Sequence, residues 1–152
     1  VTLPNLMAEL QRHPNLIMWI SGHRHLNTVK AFISPDPVNA PEKGFWQVET
    51  SSLRDFPQQF RTFEIYLNSD YTISIVTTNV DPAVKDGTPA AKSRSYAIAA
   101  QQIIKANIYT NNPTNDPTIK PMPTGSYNAE LVKQLSPEMQ AKMQNYGIPI
   151  GK

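Results

Sequence analysis

Residues 15–27 read Asn-Leu-Ile-Met-Trp-Ile-Ser-Gly-His-Arg-His-Leu-Asn, and the run Leu16-Ile17-Met18-Trp19-Ile20 is apolar throughout. A short apolar run bounded by turn residues reads as a strand buried on both faces. Ser21-Gly22 ends it, and two histidines follow with one residue between them. In extended chain, positions i and i+2 point to the same side, so His23 and His25 are expected to face one point in space. Gly22 is expected to let the backbone turn sharply just before them. The reading is of a buried strand that delivers two partly exposed imidazoles at its C-terminal end, where open α/β sheets place their sites.

The surroundings of this strand fix a fold class. Thr2 caps a helix from Leu3 to Arg12, with Leu3, Leu6, Met7 and Leu10 at helical spacing. Pro14 closes it, and His13 reads as a surface residue at the helix end. After the histidines, Thr28–Ser34 alternates as a second strand and Phe45–Ser51 as a third, with Trp46, Val48 and Thr50 on one face. Phe60–Leu67 and Tyr71–Thr78 form the clearest hairpin, with Phe63, Ile65 and Leu67 set to pair with Ile73 and Ile75. A crossing loop runs from Asn79 to Lys92. Ser93 or Ser95 then caps a helix to about Tyr109, carrying Ile98, Ile103, Ile104 and Ile108. The proline-rich stretch 110–125 reads as a loop, Asn128–Leu135 as a short helix, and Ser136-Pro137-Glu138 as the opening of a last helix. That helix carries Met139, Met143 and Tyr146 on one face and stops at Gly147-Ile148-Pro149. The class is α+β: an N-terminal helix and buried strand, antiparallel strands, then C-terminal helices. Residues 1–80 are expected to hold the site, and 81–152 to form a helical and proline-rich extension packed on it.

Composition narrows the function. The 152 residues, 39% hydrophobic, suffice for one modest core. A formal charge of +2 without a Lys/Arg cluster gives no nucleic-acid-binding signature. No apolar stretch approaches the roughly 18 residues of a membrane helix, and with no cysteine the sequence leaves the compartment unread.

The segment Gly22-His23-Arg24-His25, after its apolar strand and the lead-in Leu10-Gln11-Arg12-His13-Pro14-Asn15, resembles the Gly-His-x-His segment of the calcineurin-like metallophosphoesterases. The resemblance covers about residues 3–80. It implies part of a metallophosphoesterase-like α/β sandwich, with His23 and His25 each a ligand in a centre of two metal ions (Mn, Fe or Zn). Such a centre clamps a phosphate ester and activates water for in-line attack. Arg24 would contact the substrate phosphate or form a salt bridge at the rim. Asn27 would orient a histidine by a hydrogen bond or serve as a turn residue. Glu49, Arg54 and Asp55 are further groups able to reach that end of the sheet.

The family's other metal-binding segments, Asp-x-His, Gly-Asp-x-x-Asp, Gly-Asn-His-Asp/Glu and a further lone histidine, do not occur here. The resemblance therefore implies the C-terminal piece of a longer phosphohydrolase, inactive and metal-free alone, whose first partner is its own N-terminal half. The unpaired strand edge this leaves would invite self-association. The alternative is a self-contained α+β binding or interaction module in which the histidines are incidental.

Overall fold

The computed structural model describes residues 2–110 and 128–146. Among the described residues the fold is a mixed α+β arrangement of two three-stranded sheets and three α-helices. The first sheet holds β1 (Met18–Ser21), β2 (Thr28–Phe32) and β3 (Phe45–Glu49) in the order β1-β3-β2. β1 runs parallel to β3, and β2 runs antiparallel to it. The second sheet holds β4 (Phe60–Leu67), β5 (Thr72–Val80) and β6 (Ala129–Gln134), all antiparallel, in the order β4-β5-β6.

Alternation decides which side of each sheet is buried. Val48 lies opposite both Ile20 and Val29, and Trp46 opposite Met18 and Ala31. These residues share the inner face. In the second sheet, Ile75 lies between Ile65 and Leu131, and Thr77 between Phe63 and Ala129. The core joins both inner faces: Val48, Ile75 and Leu131 are buried at its centre, with Met18, Val29, Trp46, Phe63 and Ile73 packed against them. The hairpin and its Ile65–Ile75 and Leu67–Ile73 pairings stand as the sequence suggests. β1 forms as a strand, but the burial on both faces expected for it does not hold: it is an edge strand and none of its four residues is fully buried. Among the described residues nothing pairs with its outer edge, and Ile20 is 50% exposed.

Two polar contacts fasten one sheet to the other. The Trp46 indole N–H donates to the Val132 carbonyl at 2.9 Å. The Lys133 ammonium, buried on the inner side, donates to the Gly44 carbonyl at 2.8 Å and to that of Glu42. Burial pushes Lys133 below its ordinary pKa of 10.5, opposed by the Glu42 charge.

The helices begin where caps permit. Thr2 caps α1 (Leu3–Leu10), accepting from the Asn5 amide. Only Met7 of this helix is buried, so its apolar stripe is mostly unused. The Gln11 side chain docks the helix end by donating to the Ile33 carbonyl at 2.7 Å. In α3 (Pro137–Tyr146), Ser136 is the expected cap and accepts from the Met139 amide.

Two further expectations are corrected. Asn128–Leu135 is no helix: residues 129–134 form β6, because an unpaired β5 edge outweighs the helix propensity of Ala-Glu-Leu-Val-Lys-Gln. Residues on either side of position 80 thus share one sheet. The helix α2 (Pro89–Thr110) starts four residues before Ser93, capped by Thr88, whose hydroxyl accepts from the Ala91 amide, with proline in the first position. Its buried face is Arg94, Ala97 and Gln101, while Ile98 and Ile103 are exposed. The stretch 111–127 and Gly147-Ile148-Pro149 lie outside the described residues.

Candidate functional site

The loop after β1 departs from extended chain at both histidines. His23 has φ +84° and His25 φ +56°, the left-handed region that side chains seldom occupy. The i, i+2 rule that put both imidazoles on one side therefore does not operate here. The relief expected from Gly22 is also unused: its φ is not positive, and a Cβ there would meet nothing nearer than the Thr50 carbonyl at 4.0 Å. The strain is carried by the histidines themselves, at about 1–3 kcal/mol each.

The imidazoles go to different surroundings. His23 is exposed and lines a hollow of about 600 Å³ on the outer face of the first sheet, beside Leu3, Trp19, Lys30 and Phe32. His25 is held in the wall of the molecule. Its ring meets Phe56 edge-on, with centroids 4.5 Å apart and planes at 61°. Its backbone carbonyl accepts from the Gln101 amide of α2 at 3.2 Å. Its Nδ1 is buried without a hydrogen-bond partner, with the Asp55 carboxylate 3.9 Å away.

Between the histidines, Arg24 reaches back to the sheet. Its Nε and Nη2 donate to the two carboxylate oxygens of Glu49 at 2.9 and 2.6 Å, and Thr28 adds a hydroxyl donor to the same carboxylate. Glu49 is only 2% exposed, whereas the Arg24 side chain is 59% exposed. Of the two roles open to Arg24, the salt bridge is the one formed. Glu49 takes the Nε–Nη2 face of the guanidinium.

Asn27 does not orient a histidine. It is buried, its amide donates to Gln59 Oε1 at 2.8 Å, and its carbonyl oxygen accepts from the Ser51 amide at 3.1 Å and from Arg61 at 3.4 Å. Gln59 continues the chain by donating to Asp81 at 2.6 Å, and Asp81 also accepts from Arg94 of α2. The loop end is thereby tied to the second sheet and to α2.

Asp55, a lesser candidate from sequence, is the carboxylate beside His25, and Phe56 and Gln101 are contacts that the sequence does not mark. The alternation and spacing rules carry no signal for them, because they reach His25 from 30 and more residues away. Among the described residues, no group of three or more His, Cys, Asp or Glu side chains is arranged to hold a metal ion. The two imidazoles, one lining the outer hollow and one set against Phe56, do not by themselves make such a group. No family model matches the chain, and no curated protein or solved structure is detectably similar to it.

Proposed function

We propose that this chain is the C-terminal part of the catalytic domain of a metal-dependent phosphohydrolase, contributing His23 and His25 to a centre of two metal ions (Mn, Fe or Zn). The observation that carries the reading is a pair of histidines held in left-handed backbone immediately past the C-terminal end of an open-edged parallel strand. Strain of that kind persists only where surrounding structure enforces it, and it concentrates at working sites. The other ligands, and a strand to pair with the free edge of β1, would come from the N-terminal half of the parent protein.

The metal ions would supply Lewis acidity and activate water toward the phosphate ester. The chain's own residues do three things. Arg24 and Glu49 tie the loop to β3. Asn27 and Gln101 anchor its far end. His23 and His25 offer ring nitrogens from a backbone that cannot relax freely. In the full-length parent, His23→Ala and His25→Ala should each lose metal and about 100-fold or more in turnover of p-nitrophenyl phosphate, the scale of several kcal/mol of lost charge stabilisation. Full metal content with near-native turnover in both variants would remove them as ligands. The isolated chain should hydrolyse none of this substrate, because two imidazoles do not define a two-metal geometry.

A second reading, a self-contained α+β interaction module, is favoured by the divergence of the two imidazoles. The gene sequence ahead of Val1 separates the readings: absence of Asp-x-His and Gly-Asn-His there leaves the module.

A further inference from the structure

We propose that Asp55 is the positioning residue of His25: its carboxylate accepts the Nδ1 proton, which leaves Nε2 as the nitrogen presented to a ligand. The inference rests on the phosphohydrolase reading and deepens it by naming the atom that binds and the group that selects it.

The geometry carries the argument. His25 Nδ1 is cut off from solvent and has no hydrogen-bond partner, a costly state for a ring nitrogen. The nearest acidic group is Asp55, with Oδ2 at 3.9 Å. That gap is about 1 Å longer than a hydrogen bond, and apo sites commonly hold such pairs slightly open until the ligand arrives. Asp55 is built to close it. Its backbone amide donates to Ser52 Oγ at 3.0 Å, which fixes the main chain, while its side chain is 63% exposed. The imidazole itself is less able to move. Phe56 lies against the ring and Gln101 holds the His25 carbonyl. A ligating histidine generally donates its second N–H to a carboxylate or carbonyl, which fixes both tautomer and orientation. Here the only partly filled half of that arrangement is the Nδ1–Asp55 gap.

The tautomer is directly readable. In the full 152-residue chain labelled with ¹⁵N, long-range ¹H–¹⁵N correlations of the neutral His25 ring should show Nδ1 protonated and Nε2 bare. Asp55→Ala should shift the ring toward the Nε2–H form that free imidazole prefers, and Asp55→Asn, which keeps an acceptor oxygen, should restore most of the Nδ1–H form. The backbone amide spectrum reports whether each variant keeps the fold. An Nε2–H tautomer in the parent chain, or one that ignores Asp55→Ala, overturns the proposal. In the full-length parent, Asp55→Ala should lower metal affinity about 10- to 100-fold, the usual effect of removing such a partner. An unchanged affinity there counts against the positioning role. The phosphohydrolase reading is judged separately, by whether His25→Ala retains its metal.

Discussion

The β4-β5-β6 sheet is made of long strands, of 8, 9 and 6 residues, in antiparallel register around a central β5 whose Ile75 and Thr77 are fully buried. The β1-β3-β2 sheet has strands of 4, 5 and 5 residues, a parallel pair, an open edge, a buried carboxylate on its central strand and two left-handed histidines at its end. The β4-β5-β6 sheet departs from local rules only at the Tyr71 turn, at the buried Lys133 and in the helix-prone composition of β6, whereas the β1-β3-β2 sheet departs from them along its edge, on its central strand and in its loop. Such departures gather where a chain trades packing for a site. The β4-β5-β6 sheet reads as the support, and the β1-β3-β2 sheet as the part that is supported.

The largest expected effect breaks that contrast at its firmest point. Ile75→Ala should cost about 2–5 kcal/mol, since Ile75 is fully enclosed by both sheets. Ile20→Ala, on the open edge, should cost under about 1 kcal/mol. Urea titrations of the two variants compare them directly, and equal losses would mean that β1 is as firmly packed as β5.

Arg24→Ala comes next. It strands the Glu49 carboxylate inside the first sheet, and an unpaired buried charge costs about 1–3 kcal/mol, reduced here by the exposure of Arg24. Glu49→Gln in the same background should recover most of the loss by removing the charge. A double variant no more stable than Arg24→Ala would show that the pair does not hold the loop.

The smallest effect concerns Lys133, where the sheets are fastened. Its pKa is depressed by burial, so between its folded value and 10.5 the unfolded chain binds more protons than the folded one. Stability should therefore rise with pH through that window, as the burial penalty on the charged form is relieved. Lys133→Met should flatten the rise, and parallel pH profiles for the two proteins would exclude Lys133 as its source.

Most strands were readable because their residues alternate or are β-branched: β2, β3 and the β4–β5 hairpin follow directly. β6 was not, although Ala129, Leu131 and Lys133 alternate with Glu130, Val132 and Gln134, because those residue types also favour helix and the edge that captures them is a tertiary fact. Thr88-Pro89 carries the same cap signature as Ser136-Pro137 and could have placed the start of α2. Within the site, the strand and the two histidines were legible, and so was the reach of Glu49 and Asp55. The conformation of the histidines was not. Whether a residue takes positive φ is set by what holds the loop from outside, here Glu49, Phe56 and Gln101.

The mooring of the loop end has a consequence for how any enzyme built on it would be measured. Asn27, Gln59, the Ser51 amide and Arg61 are carboxamides, a peptide group and a guanidinium. None of them gains or loses a proton across the ordinary assay range. The contacts around Asn27 are thus silent to acidity, and the mooring meets a carboxylate only further out, where Gln59 passes on to Asp81. A pH–rate curve would consequently carry no step from the Asn27 contacts themselves, and any loosening of the loop in it would trace to Glu49 or Asp81.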